Sequence, residues 1–157
     1  MTKYNTNIYL VTSKTSIRTP TIIKIDDKDE YNVKVEIILT YDGKKYIGKG
    51  KDDLLTDAFA DLQYKLPKDI RIKCCMTCKY GNMCPFGNSP RELFCTEGFE
   101  INNKLDLAEL FDYNKYTFYR DSLVLCDYSC NNYEPQTLDY FTYNDYLLKL
   151  NLKKKSK

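Results

Sequence analysis

The chain has 157 residues, of which 43% are hydrophobic and 29% are charged, and its net charge is +2. This length and composition are sufficient for one folded unit with a real hydrophobic core, and the near-neutral charge disfavours a nucleic-acid-binding protein. The sequence contains no histidine, which excludes zinc sites of the mixed cysteine–histidine type and catalysis of the Ser-His-Asp or Cys-His type.

The sequence shows no sign of a membrane segment or an export signal. No stretch approaches the roughly 20 consecutive apolar residues that cross a bilayer. The run of apolar residues before Thr12 is too short for the core of a signal peptide. We therefore expect a cytoplasmic protein without membrane contact. Because thiols stay reduced in that compartment, disulfides are the weaker explanation for its seven cysteines.

The first part of the chain has the patterns of β-strands. Runs of β-branched residues at 7–11 and 21–25 favour strands. Val33, Val35 and Ile37 alternate with polar residues, which is typical of a strand with one buried face. These patterns predict neighbouring strands of one sheet.

A hairpin is predicted at Asp42-Gly43, which lies between two further β-rich runs. This dipeptide favours a type I′ turn, because both central residues of that turn have positive φ. Residues 69–73 are predicted to return to the sheet as a short strand. The order of strands, helix and strand predicts a curled antiparallel sheet with a helix across one face.

That helix is predicted at 53–66. Asp52 or Asp53 can cap its start, and Pro67 ends it. Its apolar residues recur at helical spacing and form one stripe: Leu54, Leu55, Ala58, Phe59, Leu62 and Leu66.

From Cys74 onward the sequence becomes rich in Gly, Asn, Pro and Cys. Short apolar runs predict a helix at 105–111, a strand at 122–126 and a last helix at 142–150.

We therefore predict an α+β protein. Residues 1–73 form the antiparallel sheet and its helix, and residues 74–150 form a cysteine-rich, loop-rich, metal-stabilised region that packs on them as one compact unit. Residues 151–157 are expected to be a basic tail.

The cysteines suggest a metal site. Cys75 and Cys78 form a CxxC pair, which can place two thiolates on one ion from a tight turn. Without histidine, an all-protein site must use thiolates, perhaps with a carboxylate, and tetrahedral zinc held by four cysteines is the simplest fit. We predict Cys75, Cys78, Cys95 and Cys126 as ligands, with Cys84 as the alternate. Cys74 and Cys130 are interpreted as small buried hydrophobes.

Other interpretations of the cysteines stay open. Cys75, Cys78 and Cys84-Pro85 loosely match ferredoxin spacing, which would indicate an iron–sulfur cluster. A redox pair of the thioredoxin type requires the CxxC at a helix N-terminus, whereas here it leads into a turn. Unliganded thiols and disulfides are the remaining alternatives.

At these residues the chain resembles a bacterial family of small CxxC-containing proteins to which no function is assigned. The resemblance covers about residues 35–130. It depends on Cys75-x-x-Cys78-Lys79-Tyr80, on Pro85-Phe86-Gly87-Asn88, on Cys95 and on Cys126 in a late strand. It implies the same four-cysteine set and no reaction.

The function predicted from these features is that of a metal-stabilised binding or regulatory module with a protein partner. Tyrosine is enriched at interface hot spots, and the second half of the chain is rich in it: Tyr113, Tyr116, Tyr119, Tyr128, Tyr133, Tyr140 and Tyr143.

Two other classes of function are weaker. An enzyme would have to use Cys84 or the late carboxylates, which are Asp121, Asp127, Glu134 and Asp139. A nucleic-acid-binding module would have to use the first sheet and the lysines at 153–157.

Overall fold

The computed structural model describes residues 1–27, 33–51, 55–87, 89–112 and 115–156. Their fold is α+β, as predicted. A five-stranded antiparallel sheet carries a helix on one face, and a cysteine-rich half with a small second sheet and short helices follows it. Among the described residues, no helix has both the length and the apolar character that crossing a membrane requires.

The large sheet has the strand order β4-β3-β2-β1-β5, and every neighbouring pair is antiparallel. The predicted strands at 7–11 and 21–25 lie inside longer strands, and Arg71–Lys73 forms the predicted returning strand. The five strands are β1 (Thr2–Val11), β2 (Ser16–Asp26), β3 (Lys34–Tyr41), β4 (Lys44–Lys51) and β5 (Arg71–Lys73).

The hairpin between β3 and β4 has the predicted turn. Asp42 and Gly43 have φ values of 49° and 70°, so both central residues lie in the left-handed region that a type I′ turn needs. In β3, Val35 and Ile37 are buried, whereas Lys34 is exposed. The predicted alternation is therefore confirmed.

Helix α1 (Leu55–Lys65) packs across this sheet with its apolar stripe buried. Contact with β4 is so close that a Cβ on Gly48 would lie 2.2 Å from the carbonyl oxygen of Ala58. Only glycine fits there without a shift of the helix. The predicted start of the helix at 52–54 lies outside the described residues.

Asp61 joins this helix to its neighbours. Its carboxylate accepts hydrogen bonds from the Lys49 backbone N–H at 2.9 Å and from the Lys65 ammonium at 2.6 Å, and it forms an ion pair with Lys153 at 3.5 Å. Burial favours a raised pKa for Asp61, but these hydrogen bonds and positive charges outweigh it and keep the pKa below the ordinary value.

Because its pKa is lowered in the folded state, the ionised Asp61 carboxylate stabilises the fold by an amount that depends on pH. This stabilisation is fully present above the pKa of the unfolded state, near 4, and is lost as the pH falls through the lower pKa of the folded state. We expect Asp61→Asn to reduce the free energy of unfolding by about 1 kcal/mol at pH 7 and to make it less dependent on pH between about 5 and 3. Urea unfolding across this range checks the result. Equal pH dependence in both proteins would contradict it.

The second half contains a small antiparallel sheet of three strands, which lie in chain order: β6 (Gly81–Asn82), β7 (Glu92–Cys95) and β8 (Leu123–Leu125). The last of these falls within the predicted strand at 122–126. The pairing of the first two was not predicted.

Helices α2 (Lys104–Leu110) and α3 (Tyr116–Ser122) pack beside this sheet. The first agrees with the predicted helix at 105–111. Its N-cap is Asn103, whose side-chain oxygen accepts from the backbone N–H groups of Leu105 and Asp106. Both helices contribute to a small aromatic cluster that contains Phe94, Leu107, Phe111 and Phe118.

The last helix, α4, spans Tyr146–Lys155 and starts four residues later than predicted. The side-chain carbonyl of Asn82 accepts hydrogen bonds from the Tyr143 backbone N–H and the Thr142 hydroxyl. These bonds hold residues 142–144 against β6 outside the helix. The helix then continues through most of the segment interpreted as a basic tail.

One hydrophobic core joins the two halves. It contains Ile37 and Phe59 from the first half together with Leu93, Tyr146 and Leu150 from the second. Helix α4 lies against α1, where Lys149 forms an ion pair with Asp57 at 3.3 Å.

Candidate metal centre

The CxxC segment forms a tight turn. Cys75–Thr77 is one short 3-10 helix. The Cys78 backbone N–H donates to the Cys75 carbonyl at 3.2 Å, and the Gly81 N–H donates to the Cys78 carbonyl at 3.2 Å. A Cβ on Gly81 would lie 2.1 Å from the Cys75 carbonyl oxygen, so the second turn can pass this close to the first only with glycine.

Pairing between β6 and β7 brings Cys95 to this turn. Gly81, three residues after Cys78, is the strand partner of Cys95. The Thr96 backbone N–H donates to the Tyr80 carbonyl at 2.9 Å. The third cysteine is therefore fixed to the turn by backbone hydrogen bonds.

The segment after β8 wraps around the same turn. The Cys75 N–H donates to the Tyr128 carbonyl at 2.7 Å, and the Lys79 N–H donates to the Glu134 carbonyl at 2.9 Å. Cys130 lies between these two anchor points in the sequence, and it is half-buried. Cys130 thus belongs to the loop that covers the CxxC turn.

Neighbouring cysteines act electrostatically on the thiols of Cys75, Cys78 and Cys95. Burial raises the pKa of Cys75, and the neighbouring thiolate charges of Cys74, Cys78, Cys95 and Cys130 raise it further. The pKa values of Cys78 and Cys95 are also raised, first by burial, and Cys130 contributes to both shifts. The metal-free thiols of Cys75, Cys78 and Cys95 are therefore protonated at neutral pH.

Backbone groups nevertheless act against burial at two of these cysteines. The backbone at Glu134 and Tyr80 lowers the pKa of the Cys78 thiol against the effect of burial. The N–H of Glu97 does the same at Cys95. Amides in these positions stabilise a thiolate, which is the form that binds a metal.

Cys126 lies in a different environment. It is completely buried in the core, and its thiol lies 3.6 Å from the Asp127 carboxylate, to which it donates. Burial raises its pKa well above the ordinary value, and the charges of Asp127 and Cys74 add to that shift. Cys74 is also fully buried, which raises its pKa to about 12.

Cys84, the alternate ligand, is half-buried. Its sulfur lies 3.9 Å from the Tyr119 hydroxyl, and it packs against the aromatic cluster. The structure thus places Cys95 and the loop that contains Cys130 against the CxxC turn, and it places Cys126 near Cys74. Within the described ranges, no three Cys, Asp or Glu side chains stand as ligands around one metal position.

The late carboxylates are held in local pairs. Asp121 pairs with Arg120, and Glu134 accepts from both Lys79 and the Tyr80 hydroxyl. These partners hold the pKa values of Asp121 and Glu134 below the usual range. A general acid at neutral pH needs a raised pKa, so these two carboxylates are not suited to act as general acids.

The tyrosines divide into packed and exposed groups. Tyr119 and Tyr143 pack on the aromatic cluster, and Tyr140 contacts the ring of Tyr80. Tyr116 and Tyr128 are exposed. Tyr113 lies outside the described residues.

No family model, no curated protein and no solved structure matches this chain. The resemblance of its CxxC region to a bacterial family therefore stays a prediction, and function must be argued from the geometry alone.

Proposed function

We propose that this chain is a metal-stabilised binding module in which one zinc ion is held by the thiolates of Cys75, Cys78, Cys95 and Cys130. The observation that carries the proposal is that two further cysteine-bearing segments, those of Cys95 and Cys130, meet the pair of tight turns that holds Cys75 and Cys78. Backbone hydrogen bonds make each of these contacts. This ligand set has Cys130 in place of Cys126, which the sequence analysis predicts as the fourth ligand. The thiol of Cys126 donates instead to the Asp127 carboxylate.

A thiolate-only set favours zinc because this metal accepts four soft sulfur ligands in a tetrahedron. Binding requires the thiol side chains to turn toward a common point and to release their protons. The four thiolates then leave a net charge of −2 around the ion. Amide N–H groups of Tyr80, Glu97 and Glu134 offset part of that charge.

The physical role of the ion is to hold loops that have little apolar area of their own. The segment 126–134 contains no regular helix or strand, and it covers the CxxC turn through backbone hydrogen bonds and the side chains of Tyr133 and Glu134. A metal bond to Cys130 converts binding energy into folding energy for this segment. The fixed surface beside it exposes Leu125 and Tyr128, residue types suited to a protein partner.

Metal analysis tests the proposal. Protein purified under reducing conditions is expected to contain about one equivalent of zinc, since a site of four thiolates holds one ion. A chelator is expected to lower its melting temperature. Less than about 0.3 equivalents of zinc would contradict the proposal. If the protein is brown and contains iron and sulfide in place of zinc, the same thiols hold an iron–sulfur cluster.

A further inference from the structure

A cavity of about 750 Å³ lies between the end of α1, β5, the CxxC turn and α4. Its volume falls in the range of sites for small molecules, about 300–1,000 Å³. The buried part of its wall is mainly apolar and is formed by Leu66, Ile72 and Leu150. The cavity therefore has the size and the apolar floor of a ligand site.

The charged residues that line this cavity are all cations. Lys68, Arg71 and Lys154 line it and are exposed, and its described lining residues include no carboxylate. Among the described residues none of these three cations has an ion-pair partner, whereas Lys149 and Lys153 on the same helix pair with α1. The cavity thus presents uncompensated positive charge next to apolar surface.

One buried polar group also faces the cavity. Tyr146 lines it with only 5% of its surface exposed, and its hydroxyl forms no hydrogen bond with any residue that the structure describes. Burial raises the pKa of this hydroxyl above its ordinary value, so it stays protonated and can donate. The hydroxyl is not among the buried polar atoms of the described residues that lack a partner, so it opens on the cavity, where a ligand oxygen can accept from it.

The other polar groups of the wall are already used. Gln63 donates to the Ile70 carbonyl and accepts from the Ile72 N–H, both at 2.8 Å. Gln136 bonds to the backbone of the CxxC turn and of α4. The Tyr133 hydroxyl lies 3.2 Å from the Thr77 hydroxyl. These bonds fix the wall and leave Tyr146 and the cations for a ligand.

We propose that this cavity binds a small organic anion, with its carboxylate or phosphate at Arg71, Lys68 and Lys154 and its apolar body on the wall formed by Leu66, Ile72 and Leu150. The Tyr146 hydroxyl donates to an oxygen of the bound molecule. This site goes beyond the metal-stabilised module and does not depend on the metal, since none of the four proposed ligands lines the cavity.

The test uses two anionic probes and a neutral one of the same shape. We expect 2-naphthoate or 1-naphthyl phosphate to bind the purified full chain in calorimetry or ligand-observed NMR, and 2-naphthamide to bind at least about tenfold more weakly, the ratio that one charge-assisted hydrogen bond produces. Absence of binding by both anions at about 1 mM would overturn the proposal. Equal affinity for the amide would also overturn it.

Variants locate the binding site. Arg71→Gln is expected to weaken the better anion about tenfold, and Tyr146→Phe about fivefold. Tyr146→Phe keeps the ring and removes a hydroxyl without a described partner, so its melting temperature should not fall. Arg18→Gln changes an exposed arginine of β2 outside the cavity and is the control, with unchanged affinity. Unchanged affinity in Arg71→Gln, or binding of an aspartate-rich peptide without binding of either naphthyl anion, would overturn the proposal.

Zinc content is measured on every variant. A protein that carries zinc and binds no anion contradicts the cavity proposal alone. A protein without zinc that still prefers the anions contradicts the metal proposal alone.

Discussion

Cys130→Ala protein is expected to retain less than about 0.3 equivalents of zinc, whereas Cys126→Ala protein is expected to retain about one, as a single four-thiolate site requires. The reason lies in the position of the two thiols. Cys130 belongs to the loop that covers the CxxC turn, and it contributes to the raised pKa values of Cys75, Cys78 and Cys95. Cys126 is buried beside Asp127.

These two variants separate the metal-ligand role from packing. Cys126→Ala removes a completely buried thiol and is expected to lower the free energy of unfolding by about 1–2 kcal/mol while the site stays intact. Cys130→Ala removes a half-buried thiol, and its main effect on stability is expected through the lost metal. A chelator should therefore lower the melting temperature of Cys126→Ala and leave that of Cys130→Ala almost unchanged.

Cys84→Ala is the matched control for a half-buried thiol outside the four-cysteine group, and we expect it to keep its zinc. The opposite pattern, with zinc lost in Cys126→Ala and kept in Cys130→Ala, would restore the ligand set that the sequence predicts. Equal zinc retention in the three variants would contradict both ligand sets, the one with Cys130 and the one with Cys126.

The second large effect is expected at the buried ion pair of Arg91 and Asp127. The Arg91 guanidinium donates to both oxygens of the Asp127 carboxylate at 2.8–3.0 Å, and the two side chains are only 13% and 5% exposed. The Thr6 hydroxyl donates to the same carboxylate. Tyr4 contacts the guanidinium with its ring, whose centroid is 4.3 Å away. The pair therefore fastens the small sheet to β1.

We expect Arg91→Met to lower the free energy of unfolding by about 3–5 kcal/mol, because it leaves the Asp127 charge buried without its partner. Urea denaturation measures the change as a shift of the midpoint at constant slope. Arg120→Met is the matched control. It breaks an arginine–aspartate pair in which both side chains are 60% exposed, and pairs of this kind contribute little.

A double variant tests the cause of this loss. Arg91→Met with Asp127→Leu removes both charges and is expected to be more stable than Arg91→Met alone, since a buried pair replaced by apolar residues costs less than a broken one. If the double variant loses as much free energy of unfolding as the two single variants lose together, the pair acts through packing and through the bond from Thr6.

Local patterns were sufficient to predict much of the first half. The turn at Asp42-Gly43, the alternation of Val35 and Ile37 and the stripe of α1 each depend on residues close in sequence. Backbone dihedral preferences and the periodicity of apolar residues determine such elements. The CxxC pair was recognisable for the same reason, because its two thiols are separated by one turn of backbone.

Long-range contacts decided the rest. The start of α4 depends on hydrogen bonds from residues 142 and 143 to Asn82, about 60 residues earlier in the chain. No periodicity carries that information. The pairing of β6 with β7 was missed because β6 has only two residues, which is too short to show an alternating pattern.

The sequence by itself determined that a zinc site in this chain cannot use histidine and has seven thiols to draw on, since it contains seven cysteines and no histidine. Only the tertiary structure decided which cysteines meet. Cys126 and Cys130 lie four residues apart, and their sequence spacing to Cys78 and Cys95 is almost the same. After β8 the chain turns back over the CxxC segment, and this turn leaves Cys126 in the core and places Cys130 in the loop that covers the CxxC turn.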